Sequence, residues 1–212
     1  MEGFARWMTD GGIWMYFILA VGILALGVAA ERFYFLFFRY NINAGAFMGQ
    51  VNKLVLANSV DKAIKLCNAA PQAALARVIK AGLAKAGRPG DEIQSALEEA
   101  TLEVSPIVQK RTQSLQALAN IATLLGLLGT IDGMIDAFAA TSDDRIPQAD
   151  RPKELSKAIA KAMLTTAFGL IVAIPAMGFH VFLSGVTKRI LDEIDLYSLR
   201  LKNLLTSRGG PN

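Results

Sequence analysis

Four threonines lie inside apolar stretches of this 212-residue chain: Thr123, Thr130, Thr165 and Thr166. Around them the residues are small. Ala119, Ala122, Gly126, Gly129 and Gly133 recur at steps of three and four, so a helix gathers them on one face, with Thr130 beside it. Ala162, Thr166, Gly169, Ala173 and Ala176 repeat the device, and His180 comes next in line. Where helices meet in lipid, small faces permit close backbone approach and hydroxyls supply hydrogen bonds. The pattern alone leaves two readings open: plain helix packing, or a hydroxyl-lined cavity wet enough to pass an ion or to host another helix.

Ionisable groups at the ends of these stretches need partners. Asp132 and Asp136 stand one turn apart, and Lys161 opens the later stretch. An antiparallel register that brings Thr130 beside Thr166 puts Lys161 within reach of either carboxylate, nearly level with Asp136 and offset from Asp132 by roughly 4.5 Å. Asp132 sits about 160° and Asp136 about 120° round from Thr130, and Lys161 about 140° round from Thr166. These three therefore do not share the threonine faces. The expectation is an ion pair between helices or subunits near the outer rim, not a relay in a lumen. His180 reads as a packing residue. A single histidine and the single Cys67 offer no metal-ligand spacing, and no phosphate-binding loop or activated nucleophile is present. The chain is not expected to be an enzyme or to carry a cofactor.

The elements that must position these residues follow from where charge is missing. The chain is 53% hydrophobic and only 19% charged. Gly11–Ala30, Thr112–Ile131 and Ala162–Thr187 contain no charged residue, and about 20 helical residues span a ~30 Å hydrocarbon core. This excludes a purely soluble domain, and unbroken apolar runs exclude an alternating β-barrel. One cysteine excludes a disulfide framework. The expected fold is all-α, with three transmembrane helices and long helical cytoplasmic extensions. Ten Lys/Arg lie between Arg39 and Arg111, with more after Thr187, so the N-terminus is expected outside and the C-terminus inside. Basic and acidic residues interleave without base-stacking aromatics, which argues against nucleic acid and for solvated faces that also meet lipid headgroups.

The expected boundaries are 1–40 for the N-terminal segment and first span, 41–111 for a cytoplasmic helical region, 112–140 for the second span, 141–157 for a periplasmic loop, 158–187 for the third span and 188–212 for a cytoplasmic tail. Phe33, Tyr34, Phe35, Phe37 and Phe38 form an aromatic belt behind Glu31-Arg32, with Trp7 and Trp14 at the opposite interface. In the middle region Ser59 is placed to cap a helix through Ala69. Pro71 is placed in the first turn of another that stops at Gly87, and Asp91 at the cap of a third. That third helix is expected to run unbroken into the second span with a kink at Pro106, and Pro175 to kink the third span. Ile190, Ile194, Tyr197, Leu201 and Leu204 step four, three, four, three, the seam of a tail that packs on other helices.

Leu124 to Ile135 (LLGLLGTIDGMI) and Ala158 to Ala176 (AIAKAMLTTAFGLIVAIPA) resemble the second- and third-span signatures of the MotA/TolQ/ExbB proton-channel family. Glu31-Arg32 and the order of spans fit as well. Three spans fit ExbB and TolQ better than the four-span MotA. The resemblance implies an inner-membrane homopentamer that couples the proton motive force to periplasmic or outer-membrane work. Its second and third spans would enclose two helices of an ExbD- or TolR-like partner. That partner would supply the titrating aspartate, Thr130 and Thr166 (with Thr165) would line the path, and Gly126, Gly129, Gly133, Gly169 and Ala173 would form the close-packing pore face. A TonB- or TolA-like protein would carry the work outward. Lys161 stands where the family often has glutamate, and Thr123 where it commonly has proline. The hydroxyls of Thr123 and Thr165 are a hint of sodium in place of H+. A membrane scaffold that conducts nothing is the alternative.

Overall fold

A computed structural model describes residues 11–40, 42–142 and 147–208, except for the side chains of Arg39 and Arg208. All of its regular structure is helical among these residues. In chain order the helices are α1 (Ile13–Tyr34), continued by a π-helical stretch Phe35–Tyr40, then α2 (Ala44–Leu56), α3 (Val60–Ala69), α4 (Ala74–Ala84), α5 (Gly90–Gln109), α6 (Thr112–Ser142) and α7 (Arg151–Arg208). Three stretches are long and apolar enough to cross a membrane: Ile13–Phe38, and windows within Gly90–Ser142 and Arg151–Ser207, with mean hydropathies of 2.3, 1.6 and 1.9.

The chain divides into two compact units. The first comprises the chain through Ala30 together with Gln113–Val181, and is built from α1, α6 and the first part of α7. Its sides are apolar and open: Ile23, Leu26, Leu124, Ile135, Ile174 and Val181 are each at least 62% exposed. Such surface is unstable in water and at ease in lipid tails. Inside, Met15, Ile18 and Phe168 form a buried cluster with Leu19, Leu125 and Val172 against it. Gly22 permits this approach, since a Cβ there would stand 3.2 Å from Val172.

The second unit comprises Glu31–Thr112 and the chain from Phe182. Here α2, α3, α4 and α5 are amphipathic, 10 to 20 residues long. Met48, Val51 and Val55 from α2, Ala63 and Cys67 from α3, and Val78, Ile79 and Leu83 from α4 are buried at helical spacing. Ile93, Leu97, Val104 and Val108 do the same on α5. Ile190, Ile194 and Leu201 on α7 are buried in turn, with Tyr197 and Leu204 half-buried, so the expected seam packs against helices. Gly82 is the closest point: a Cβ there would meet Leu97 at 2.6 Å and Leu201 at 3.2 Å.

Local chemistry places the helix ends, and several differ from expectation. Asn43 caps α2 by accepting the Ala46 N–H at 3.1 Å, a signal the sequence carried openly. Ser59 does stand at the start of α3, but its hydroxyl turns back to the Ala57 carbonyl and caps nothing. Pro71 lies in a turn ahead of α4, which begins at Ala74 and ends at Ala84, short of Gly87. Pro89, not Asp91, holds the cap position of α5, and Asp91 sits in its first turn. The helix does not run unbroken into the second span. It passes through Pro106 and ends at Gln109, where Lys110 turns extended and Arg111 adopts φ +60° before α6 starts. The Lys110 N–H closes the last turn on the Pro106 carbonyl at 2.9 Å. At the other end of the second span α6 reaches Ser142, and α7 begins at Arg151, so residues 151–157 of the expected loop are helical. From there α7 continues through Pro175 to Arg208. Arg6, Trp7, Asp143, Asp144 and Arg145 lie outside the described residues.

Candidate ion-path helix pair

The two small faces meet each other within one chain. Gly126 lies against the backbone of Thr165, Thr166 and Gly169, where an added Cβ would find three atoms between 3.2 and 3.3 Å. At Gly129 a Cβ would stand 2.8 Å from Thr165 Cβ, and at Gly133, 2.7 Å from Ala162 Cβ. At Gly169 it would meet the Ala122 carbonyl at 2.8 Å and Gly126 Cα at 3.1 Å. The crossing is therefore a glycine-to-glycine backbone contact, which only side-chain-free positions allow. Gly126, Gly129, Gly133, Gly169 and Ala173 are all buried. Within a protomer this face is a seam between α6 and α7 and does not look onto open space.

Closeness of the backbones brings the hydroxyls together. Thr130 Oγ1 and Thr166 Oγ1 are hydrogen-bonded to one another. Thr130 Oγ1 also lies 3.2 Å from its own helix's Gly126 carbonyl and 3.3 Å from the Ala162 carbonyl across the seam. Thr166 Oγ1 reaches the same Gly126 carbonyl at 3.0 Å. Two hydroxyls carry two protons, whereas this group contains four donor-to-acceptor contacts. The bond between them can run in two directions. In one, Thr166 donates to Thr130, which donates to the Gly126 or the Ala162 carbonyl. In the other, Thr130 donates to Thr166, which donates to Gly126. Both side chains are half-buried, so the pair has a side open beyond the seam.

Thr165 differs from its neighbour. It is 1% exposed and donates to the Ala162 carbonyl at 2.8 Å, a bond within its own helix. Thr123 likewise donates to Ala119, at 3.1 Å. Neither hydroxyl bonds to Thr130 or Thr166; Thr165 meets their group only through the Ala162 carbonyl, which it shares with Thr130.

The ionisable residues sort themselves in the same unit. Lys161 Nζ lies 3.3 Å from Asp136 Oδ2, so the pair is made between helices of one chain. Asp132 takes a different partner, accepting the indole N–H of Trp14 at 2.9 Å. Gly12, at φ +75°, leaves room for the lysine: a Cβ there would stand 3.0 Å from Lys161 Cε. The Lys161 and Asp136 side chains are 36% and 57% exposed, a geometry worth at most about 1 kcal/mol in water. The Trp14–Asp132 bond was missed from sequence because 118 residues separate the two, and only the packing of α1 on α6 joins them.

In the second unit Arg32 was read only as a boundary marker. It is 3% exposed, and its Nε and Nη1 make no hydrogen bond, while the neighbouring Glu31 is engaged by Arg111 at 2.5 Å. Cys67 is buried, and burial pushes its thiol up to about 11. His180 is half-buried on α7. No group of acids, histidines and cysteine that could hold a metal ion occurs among the described residues.

Taken together, the lipid-facing unit and its hydroxyl-bearing helix pair define a multi-pass membrane protein with polar groups held at a helix crossing. The family model for the MotA/TolQ/ExbB proton channel family matches residues 70–196, which includes α4, α5, α6 and most of α7. The chain belongs to this family. It is 30% identical over 175 residues to ExbB-like 3 of Synechocystis sp., the match covering 82% of each chain. It is 27% identical over 190 residues to an ExbB homolog of Methanothermobacter thermautotrophicus, covering 90% of this chain but 65% of that one. The biopolymer transport protein exbB1 of Vibrio cholerae is 37% identical over 87 residues, 40% of this chain and 36% of its own.

Proposed function

We propose that the chain is the wall-forming subunit of an ExbB/TolQ-type proton channel. In this reading several copies, five by the family resemblance, surround a path into which a partner chain places its titrating acid. The observation that carries the proposal is the Thr130–Thr166 pair, with its two interchangeable hydrogen-bond arrangements and its open side. A hydroxyl pair can pass a hydrogen bond's direction along but does not itself titrate near neutral pH. The missing acid therefore belongs to another chain, an ExbD- or TolR-like protein with one span. Lys161 is engaged by Asp136 and Asp132 by Trp14, so neither carboxylate is available for that role without breaking a bond.

The remaining assignments are inner-membrane placement, a periplasmic N-terminus, a cytoplasmic second unit, H+ as the translocated ion and no catalytic activity of its own. The work driven passes to a TonB- or TolA-like protein, in transport, envelope maintenance or gliding. The test is proton flux in vesicles containing the chain and its co-purified single-span partner. Thr130→Val with Thr166→Val should lower flux about tenfold, the equivalent of one lost hydrogen bond along the path. Undiminished flux in the double variant removes the threonines from it. A non-conducting scaffold is the second reading, favoured by the glycines being consumed in packing within the protomer. A wild-type assembly with its partner that passes no ion would establish it.

A further inference from the structure

The second unit is electrically lopsided. Between Ala44 and Arg88 it carries seven Lys/Arg and one acid, Asp61, whereas α5 carries five acids and no base. The lysines at 53, 62 and 65 and the acids at 98, 99 and 103 are all exposed. A groove of about 500 Å³ opens between α5 and the last turns of α7, with Glu98 and Asp195 at its edge. Its floor and walls are apolar in part: Leu102 is 75% and Leu199 58% exposed. Lys202, the one base lining it, is engaged by Gln94. Ser198 Oγ is buried there and makes no hydrogen bond.

One other large apolar side chain of α2–α5 is as exposed. Leu56, 58% exposed, stands at the end of α2 one turn after Lys53 and shortly before Lys62. We propose that the acid-rimmed groove between α5 and α7 receives the lysine-flanked Leu56 end of α2 from a second copy of this chain. The leucine would fill the apolar groove while Lys53 and Lys62 meet Glu98 and its neighbours. The two surfaces differ, so the contact is head-to-tail, and repeated about an axis normal to the membrane it closes a ring. It rests on the reading that several copies surround one path, and it supplies the contact between their solvated units.

The test is oxidative cross-linking with copper phenanthroline of full-length chain in membranes. Leu56→Cys combined with Leu102→Cys should give a ladder of covalent multimers longer than a dimer. Either substitution alone should give none. Wild type serves as the control for Cys67, whose thiol is buried and protonated. Lys62→Glu placed on the double-cysteine chain should reduce the ladder about fivefold, and adding Glu98→Lys should restore it. Absence of a ladder, dimers from a single cysteine, or failure of the charge swap to restore cross-linking overturns the proposal. The last outcome would assign those lysines to the anionic membrane surface instead. Flux in the same preparation keeps the two readings apart. Intact flux without a ladder removes this contact alone, whereas a ladder with threonine-independent flux removes only the threonine path.

Discussion

At the residue scale, the structure separates groups that a one-dimensional reading had pooled. Thr165 and Thr166 are neighbours in sequence, yet a turn of 100° sends one into its own backbone and the other across the seam. Asp132 and Asp136, equivalent partners for Lys161 by level, are divided by an indole that reaches only one. Helical angles were legible from the sequence; which neighbour stands at a given angle was not. Cys67 offers a clean test at this scale. Its thiol ionises near 11 in the folded chain, against 9.0 for an exposed one, so at pH 8 it should resist alkylation until the chain unfolds. Above pH 9 the unfolded thiol releases its proton while the folded one retains it. Folding stability should therefore decline as pH climbs from 9 to 11, with no contribution from this group below 9. Replacement by alanine should remove that part of the decline in a pH series of denaturation curves.

Among elements, the crossing of α6 and α7 was the best anticipated feature and the helix ends the least. Small residues at three- and four-residue steps can do little in lipid except let backbones approach, so the face was readable before its partner was known. By contrast, the break between α5 and α6 depends on Arg111 taking a left-handed conformation that nothing in an Arg-Thr pair announces. Periodicity continued across it and hid it. The crossing has a sharp consequence for substitutions. Gly169→Ala puts a methyl against the Ala122 carbonyl at 2.8 Å, and main chain cannot swing aside as a side chain does. A loss of about 1–3 kcal/mol is expected in detergent unfolding. Gly178→Ala, in the same helix with nothing within 4 Å of the new methyl, should leave stability unchanged or raised.

For the whole molecule, charge-free runs gave the number of membrane-spanning helices directly, because hydrocarbon tolerates so few alternatives. Orientation rests on the basic excess of the middle region. A pair of cysteine reporters checks it: Ala149→Cys, between α6 and α7, should react with an impermeant maleimide in intact cells. Gln72→Cys, between α3 and α4, should react only after lysis. The reverse pattern would turn the protein over. The division into an apolar unit and a second, amphipathic one also follows the expected spans, while the side-chain contacts that join distant segments within each unit were not legible.

Glu31, near the end of α1, and Arg111, just before α6, are eighty residues apart and joined as an ion pair. The segment between them thus departs and comes back through a single doorway. Residues can be added at the turns inside it without lengthening either span, as a drawer can be deepened without altering the cabinet's face.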